Sequence, residues 1–505
     1  MTTATDIEST TSPDEVHSQR VRRWVDIALV SVAAVAIAGW LFLGISHIDD
    51  RYGVLHVQGA WMALARNADE GVLYPPLYDG ERYGGTRWMP LPIVVNAGAA
   101  KLTGDYLTSG KIVGFISTAV LLVLVFLELW RLSVRMPIAA ALTATVVATK
   151  PGLFAGTSIG GDVIPVVLQL GAMMVATSRR RHALAVAGVL AALALASKTT
   201  GVWALLAIAT WLALDRRWRD LALFGGTFAV SASVLFGIVQ AASDGRFIEN
   251  VALLTLAGVG GGVGPIRAPN QLLYQMYTYS AAVWLLMPFA VITLFVNGRR
   301  RIGLSHLALF WALVLLIITY TDVGSGFNQL LDVAVLTILV AGSLAERSGR
   351  VAVTTTGPLV LVLALAVIWG AGSGVVLTQV PDIRATIERG TLGYPVEPLR
   401  DLVRPGDEIL SEDPYVPLSF GREPVVLDPF MLLRLDRVDP EAVDELIDRI
   451  EEKRFGYLVM ITSLERRNDY WWNEFHFGPR VVDAMRRSYV LQGRVDSYHV
   501  YRPAP

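Results

Sequence analysis

The sequence predicts a polytopic α-helical membrane protein with about eleven transmembrane helices, followed by a small α/β domain outside the membrane. Three observations lead to this fold class. Of the 505 residues, 53% are hydrophobic and only 17% are charged, whereas about a quarter of the residues in a soluble globular protein are charged. The apolar residues form blocks that approach the roughly 20 residues a helix needs to cross a bilayer. After residue 380 the composition becomes that of a soluble domain.

Eleven apolar segments are predicted to span the membrane. Their approximate bounds are 24–45, 109–130, 138–156, 163–178, 183–197, 201–214, 221–240, 281–297, 304–320, 328–345 and 357–379. Short arginine clusters separate these segments, and with eleven spans every cluster falls on the same side. Because short basic loops stay in the cytoplasm, this pattern predicts a cytoplasmic N-terminus and an extracytoplasmic C-terminus.

The chain divides into three predicted regions. Residues 1–23 are polar and lack a packing pattern, which is typical of a disordered cytoplasmic tail. Residues 24–380 form the membrane module, with long outer loops at 46–108 and 241–280. Residues 381–505 form the outer domain, because short apolar runs alternate there with helical patterns. Its predicted strands are 408–410, 424–427, 457–461 and 489–501, and its predicted helices are 440–453 and 479–487.

The two long loops have features of their own. Segment 54–68 reads as an amphipathic helix that lies along the membrane interface. Loop 241–280 carries the glycine run Gly258–Gly264, which is typical of a mobile loop over a site. The outer domain is expected to pack over this loop.

Composition narrows the function classes. The chain has no cysteine, which excludes disulfides and thiol chemistry. The net charge of −1 gives no indication of a nucleic-acid partner. No P-loop, Rossmann glycine fingerprint or HExxH motif occurs, so soluble nucleotide chemistry is unsupported. Only five of the basic residues are lysine; this arginine bias indicates a GC-rich bacterial gene and therefore a bacterial plasma membrane.

Adjacent carboxylates follow the first span. Asp49 and Asp50 could supply a general base or a metal ligand, with a pKa tuned by the neighbouring Arg51 and His56. The alternative is a solvated pair that caps the interfacial helix, since Asp is a good N-cap residue.

Three further places on the predicted outer side carry polar residues. Asp162 follows two glycines between spans 3 and 4 and is the candidate acidic residue of the second outer loop; the alternative is that it only caps span 4. Lys198 lies between spans 5 and 6 and suits an anionic phosphate, or snorkels to lipid headgroups. Asn328, in the segment 322–329, and Arg267 could contact a headgroup or belong to ordinary turns. These polar residues all fall on the predicted outer side, together with Asp49 and Asp50, which favours a shared function.

The layout resembles the GT-C superfamily of membrane glycosyltransferases, which includes protein O-mannosyltransferases and lipid A aminoarabinose transferases. The stretches that carry the resemblance are HIDDRY after span 1, GVLYPPLYDGERYGGTRWMPLPIVV in the first loop, GGD in the second outer loop, SKTTG, GSGFNQLL and GDEILSEDPYVPLSFGREPVVLDPF. Together they cover most of the chain.

The resemblance implies a sugar donor carried on polyprenyl phosphate and used at the outer face, with a glycan, lipid or protein as acceptor. It implies a first-loop aspartate as catalytic base, here Asp50 or Asp49, and Lys198 and Arg267 as the cations that stabilise the lipid phosphate. The resemblance leaves a divalent cation open as a cofactor. Further candidates for contact with substrate are Tyr52, His56, Arg87 and Asn328.

Two other classes of function fit the sequence less well. A transporter or lipid flippase would be expected to show an inverted repeat with broken helices, and none is evident. A non-catalytic scaffold with the same fold is the third interpretation. The outer domain is assigned to acceptor binding, with Tyr470–Trp472 as residues that stack on a sugar or pack in the core.

Overall fold

The computed structural model describes residues 13–54, 56–256, 267–296, 303–322, 324–345, 353–390, 396–400, 402–404, 406–466, 470–495 and 497–505. The glycine run Gly258–Gly264 and residues 1–12 of the predicted tail lie outside the described residues. Within them, each of the eleven segments predicted to span the membrane is helical over most of its length. The predicted fold class, a polytopic helical protein with a small C-terminal α/β unit, is therefore confirmed.

The helices up to residue 400 occupy most of the described chain. Their bounds are α1 Pro13–Ser46, α2 His56–Asp69, α3 Pro90–Thr103, α4 Tyr106–Arg131, α5 Met136–Ala148, α6 Lys150–Thr157, α7 Val163–Ala176, α8 Ala183–Ser197, α9 Trp203–Leu214, α10 Trp218–Ala242, α11 Arg246–Leu256, α12 Ala268–Tyr279, α13 Ala281–Val296, α14 Leu304–Thr319, α15 Leu331–Gly342, α16 Val353–Gly374, α17 Val380–Arg389 and α18 Glu397–Arg400.

Five helical segments among the described residues are long and apolar enough to cross a membrane, and the number rises to seven if each of two bent helix pairs is one span. The bent pairs are α5 with α6, at 73°, and α12 with α13, at 118°. Helices α7, α8, α9 and α14 are apolar but shorter. The chain is therefore a multi-pass membrane protein, and the count of eleven spans stays a prediction.

The bend between α5 and α6 has a local cause. Thr149 caps α6 by accepting a hydrogen bond from the Gly152 amide, at 3.3 Å. A Cβ at Gly152 would lie 1.9 Å from the carbonyl oxygen of Val146, so only glycine fits so close to the preceding helix. The bend places Lys150, the first residue of α6, at the break inside this predicted span.

Several helices were not predicted. Helix α1 begins at Pro13, so the prediction of a disordered tail up to residue 23 is wrong for residues 13–23. Pro13 suits the first position of a helix, because the backbone amide at that position would have no partner within the helix. The first long loop holds the apolar helix α3 as well as α2, which corresponds to the predicted segment 54–68. Loop 241–280 holds α11 and α12.

The C-terminal region contains a four-stranded sheet of order β1-β2-β4-β3. Strand β1 pairs in parallel with β2, and the other two pairings are antiparallel. The bounds are β1 Ile409–Ser411, β2 Tyr457–Met460, β3 Tyr489–Val495 and β4 Tyr498–Pro503, with helices α19 Tyr415–Ser419, α20 Pro429–Val438, α21 Glu441–Glu451 and α22 Pro479–Ser488. The sheet and these helices bury a core of their own.

Two strand predictions need correction. Segment 424–427 is not a strand of the sheet, because its apolar residues bridge to the first long loop instead. The Tyr83 amide donates to Val425 at 2.8 Å, and the Leu427 amide donates to Tyr83 at 2.8 Å. The predicted strand 489–501 is a hairpin of β3 and β4.

The C-terminal region packs against the end of the helices that carries the first long loop, Asp162 and Lys198, here called the loop face. Helix α2 lies against α19, and α11 lies against α20. The approach is close, since a Cβ at Gly59 of α2 would lie 2.5 Å from the Tyr415 amide nitrogen. The loop face therefore joins the membrane module to the C-terminal region.

Candidate functional site

Asp50 lies just after α1, and several donors hold its carboxylate. The ammonium of Lys111, on α4, lies 3.3 Å from Oδ1 and donates to the His47 carbonyl oxygen at 2.5 Å. The Tyr52 amide donates to Oδ1 at 2.8 Å, and the His47 ring contacts Oδ2. Lys111 is only 1% exposed, whereas Asp50 is 15% exposed. The carboxylate is therefore oriented by the protein and still reaches solvent.

Helix α17 supports the same turn from another direction. The Tyr52 hydroxyl donates to Asp382 at 2.5 Å, and His47 Nε2 lies 2.7 Å from the Thr386 hydroxyl. The rings of His47 and Tyr52 stack with centroids 4.4 Å apart. These contacts fix the His47 ring that holds Asp50.

The protonation state of Asp50 follows from these partners. Burial acts to raise the pKa of its carboxyl, but the hydrogen bonds from His47 and from the Tyr52 amide, together with the Lys111 charge, hold the pKa below its usual value. Asp50 is therefore ionised at neutral pH and can accept a proton. Its neighbour Asp49 is exposed.

Arg51 connects the turn to the C-terminal region. Its guanidinium donates to Asp413 Oδ2 and to the Tyr498 hydroxyl, both at 2.6 Å. It also lies over the Tyr415 ring at 4.0 Å. Arg51 is 7% exposed and Asp413 1% exposed. Removing one partner of such a buried pair commonly costs about 3–5 kcal/mol.

A second cluster joins three residues predicted from the sequence. Lys198 Nζ lies 2.7 Å from Asp162 Oδ1, and the Asn328 side-chain amide donates to Asp162 Oδ2 at 2.8 Å. Burial acts to raise the pKa of Asp162, but the Lys198 charge and both hydrogen bonds hold the pKa below its usual value. Asp162 does not cap α7 with its side chain. It lines a small pocket together with Asn328, Pro151, Phe154 and Ser158.

Lys150 lies beside this pocket, one residue before Pro151. Its ammonium is 4.9 Å from the Tyr279 ring centroid and 5.1 Å from that of Phe327. The side chain is exposed, and the lysines that pair with a carboxylate in the described ranges are Lys101, Lys111 and Lys198. Two aromatic faces thus hold a cation whose charge is open to an incoming anion.

A third charged cluster contains Arg87. Asp322 pairs with Arg87 at 2.5 Å and with Arg434, on α20, at 2.6 Å. Both guanidinium groups lie over the Phe430 ring. Burial acts to raise the pKa of Asp322, but the two arginines hold the pKa below its usual value. Arg434 also donates to the Leu254 carbonyl oxygen at 2.9 Å, so the C-terminal region contacts α11 of loop 241–280.

The remaining predicted residues lie elsewhere. Arg267 is exposed at the start of α12. His56 faces His476, with ring centroids 4.5 Å apart, and its Nε2 is buried without a hydrogen-bond partner. Burial lowers the pKa of His56 to about 3, so this ring packs against the C-terminal region as a neutral group. Of the predicted aromatic segment 470–472, Trp472 belongs to the core.

Lys111 and Lys150 are not among the residues predicted from the sequence, although the sequence carries a signal for both. Both lysines lie inside segments predicted to span the membrane, where an ionisable residue is costly and usually has a function. The contacts of Asp382 and Asp413 carried no such signal, because their partners lie more than 300 residues away in the chain.

Comparison with known proteins gives a match in structure. The sequence matches no family model and no curated protein. The structure of ArnT from Cupriavidus metallidurans in the apo state has a TM-score of 0.55 and 14% identity, and the match covers 95% of this chain and 98% of that chain. ArnT bound to undecaprenyl phosphate has a TM-score of 0.54 and 14% identity, with 94% and 97% covered.

The archaeal oligosaccharyltransferase AglB from Archaeoglobus fulgidus, in complex with an inhibitory peptide and a dolichol-phosphate, has a TM-score of 0.50 and 11% identity. That match covers 96% of this chain and 74% of that chain. ArnT and AglB are GT-C glycosyltransferases. The expected GT-C-like fold is therefore confirmed, and at these identities the likeness establishes the fold alone.

Proposed function

We propose that this protein is a glycosyltransferase that moves a sugar from a polyprenyl-phosphate donor to an acceptor at the loop face. The observation that carries the proposal is the Asp50 carboxylate, which is ionised, oriented and partly open to solvent within a GT-C-like fold. ArnT and AglB, which share this fold, have structures with undecaprenyl phosphate and dolichol-phosphate, respectively. The loop face corresponds to the predicted outer side of a bacterial plasma membrane.

Asp50 is the proposed general base. A carboxylate accepts about four hydrogen bonds, and three donors occupy Asp50, which leaves room for a substrate hydroxyl. In the reaction, the carboxylate takes the proton of the acceptor hydroxyl. The acceptor oxygen then forms a bond to the anomeric carbon, while the bond from that carbon to the phosphate oxygen breaks. The polyprenyl phosphate leaves with the bonding electron pair.

The leaving phosphate needs positive charge near the membrane surface. Lys150 is the proposed principal phosphate ligand, because its ammonium is exposed beside the pocket that Asp162 lines. Lys198 shapes the pocket through its ion pair with Asp162, and Arg267 is a second candidate from the start of α12. Acceptor contacts are assigned to the loop-face cluster of Arg87 and to the C-terminal region.

A divalent cation is a separate question. In the described part of the chain no three His, Cys, Asp or Glu side chains gather as metal ligands. The positive charge nearest Asp50 is the Lys111 ammonium. Dialysis of the purified protein against a chelator, followed by transfer assays with and without Mg²⁺ or Mn²⁺, measures whether a cation is required.

The test is transfer from radiolabelled polyprenyl-phosphate sugars in membranes that contain the full-length protein. General-base loss commonly costs about 10²–10⁴-fold in rate, so Asp50→Asn should nearly abolish transfer while the protein still inserts and binds donor lipid. Asp49→Asn is the matched control and should retain activity. Loss of activity in Asp49→Asn alone would make Asp49 the base.

The alternatives predict other results. A transporter or flippase would move the lipid-linked sugar across vesicles without forming a new glycosidic bond, and a scaffold would do neither. If Asp50→Asn and Asp49→Asn both transfer at the wild-type rate, the first-loop assignment is wrong. If the wild-type protein transfers the sugar, assays with glycan, lipid and protein acceptors identify the acceptor class.

A further inference from the structure

Residues 50–52 lie between two parts of the protein. On one side, His47 and Lys111 hold the Asp50 carboxylate from the membrane module. On the other side, the guanidinium of the next residue, Arg51, donates to Asp413 and to the Tyr498 hydroxyl of the C-terminal region. The Tyr52 amide bonds back to Asp50 Oδ1 at 2.8 Å, which closes the three residues into one tight turn.

The partner of Arg51 is itself held by several hydrogen bonds. Asp413 follows strand β1, and its Oδ1 accepts a hydrogen bond from the Tyr415 amide at 3.0 Å. Its Oδ2 accepts bonds from Arg51 at 2.6 Å and from the Tyr498 hydroxyl at 2.7 Å. The Asp413 amide donates to Ser411 Oγ at 3.1 Å. Because Tyr498 begins β4, residues from two strand ends of the sheet define where the guanidinium lies.

Other contacts between the first loop and the C-terminal region differ in kind. Arg82 also pairs with a C-terminal residue, Glu423, but both side chains are more than 30% exposed. Exposed pairs of this sort contribute little. Arg51 and Asp413 are both buried, and the guanidinium donates one hydrogen bond to Asp413 and one to Tyr498. Consecutive Cα atoms are only about 3.8 Å apart, so a displacement of Arg51 moves Asp50 with it.

We propose that Arg51 is a positioning residue through which the C-terminal sheet sets the orientation of Asp50. The C-terminal region is then part of the catalytic unit in addition to any role in acceptor binding. This inference rests on the proposed function, since it assigns Arg51 to the same reaction. In this proposal the buried Arg51–Asp413–Tyr498 cluster orients the catalytic carboxylate in addition to stabilising the fold.

The consequence for the reaction is a loss of rate at constant donor affinity. The contacts described for the Arg51 guanidinium are with Asp413, Tyr498 and Tyr415, and none of these residues lines the pocket of Asp162, so we expect donor affinity to change little when Arg51 is replaced. A catalytic group misplaced by about 1 Å can cost on the order of 10²-fold in rate. Arg51→Lys and Asp413→Asn should therefore lower kcat by about 10- to 100-fold, with the donor KM near the wild-type value. Tyr498→Phe removes two hydrogen bonds, one from Arg51 and one to Asp413, and should lower kcat by about 5- to 10-fold.

A readout without turnover accompanies the kinetics. The chain has no cysteine, so Val54→Cys introduces a single thiol four residues beyond Asp50. Val54 is 2% exposed, and a maleimide should label this thiol slowly when the turn is intact. Arg51→Lys in the Val54→Cys background should be labelled several-fold faster, and Arg82→Ala in that background should be labelled at the same rate as Val54→Cys alone.

The full-length protein in membranes is used throughout, with Arg82→Ala as the matched control for an ion pair that joins the same two regions. The positioning role is overturned if Arg51→Lys and Asp413→Asn keep the wild-type kcat, or if they raise the donor KM with kcat unchanged. Equal labelling rates in the presence and absence of Arg51→Lys also overturn it. Failure of the proposed function is distinct, because then Asp50→Asn transfers as well as the wild type or the wild type does not transfer at all.

Discussion

Replacing Lys111 by Met should move the acid limb of the pH–rate profile to higher pH. At 3.3 Å from Asp50 Oδ1, the ammonium stabilises the carboxylate by about 5 kcal/mol at an effective dielectric constant of about 20. Asp50 is partly exposed, so water screens this figure. We expect about 1.4–3 kcal/mol to be lost, which raises the pKa of Asp50 by about 1–2 units.

The sign follows from the role of a base. Transfer requires ionised Asp50, whose pKa lies below its usual value in the wild type. The wild-type rate should therefore fall only below the pH range in which an ordinary aspartate titrates, and in Lys111→Met it should fall at a pH about 1–2 units higher than in the wild type. His47 and the Tyr52 amide remain in place, so the carboxylate is still held.

The assay is the pH dependence of kcat/KM for transfer in detergent-solubilised protein. Lys111→Arg is the control, because it keeps the charge, and its acid limb should stay close to that of the wild type. An unchanged acid limb in a correctly inserted Lys111→Met protein would refute the assignment of Asp50 as the titrating base.

Four further predictions concern the donor site and the fold. Lys150→Ala should raise the donor KM by about 10- to 100-fold, since a charge-assisted bond contributes about 1.5–3 kcal/mol, and it should also lower kcat, because negative charge grows on the phosphate as it leaves. Asp162→Asn and Lys198→Met should be non-additive in donor binding, with a coupling of about 1–3 kcal/mol, as measured by a double-mutant cycle. Gly152→Ala should lower the thermal stability by about 1–3 kcal/mol, because the methyl group overpacks the α5–α6 bend. A reporter that works only in the cytoplasm should be silent when fused after Pro505.

Matched controls make these outcomes decisive. Lys101→Ala removes another lysine of the loop face, whose partner is Asp69 at 3.1 Å, and should leave the donor KM unchanged. Gly98→Ala adds a methyl group where no atom lies within 4 Å, and should leave the stability unchanged or slightly higher. An unchanged donor KM in Lys150→Ala would contradict the phosphate role of Lys150. Additive effects of Asp162→Asn and Lys198→Met would contradict their coupling. Wild-type stability of Gly152→Ala would contradict the predicted overpacking.

Hydrophobic runs predicted the membrane helices well, because a bilayer requires long apolar segments and the sequence shows them directly. Helix α3 was missed because its run, PLPIVVNAGAAKLT, is too short for a span and begins with two prolines. Those prolines instead start the helix. The apolar run 424–427 predicts a strand of the sheet, but periodicity does not reveal which neighbour an extended segment pairs with. Here the neighbour is Tyr83 of the first loop.

The site was predicted in part. Asp162, Lys198 and Asn328 were singled out separately, and the structure joins them through two contacts. The surroundings of Asp50 could not be predicted, because its turn depends on Asp382 and Asp413, and a sequence does not state which distant residues meet. The sequence alone identifies Lys111 as a candidate, because a lysine inside a predicted span needs a buried partner.

Three lysines differ in whether a carboxylate pairs with their ammonium group, and this difference separates their roles in the proposed reaction. Lys111 is committed to Asp50, and Lys198 to Asp162, so each of these ammonium groups is largely neutralised by a carboxylate that lies within 3.3 Å. Lys150 has aromatic rings in place of a carboxylate, and a ring face leaves most of the cation's charge available to an anion. A leaving phosphate gains most from the cation that no carboxylate has already neutralised. Loss of Lys150 should therefore raise the donor KM more than loss of Lys198, and the reverse order would return the phosphate to the pocket of Asp162.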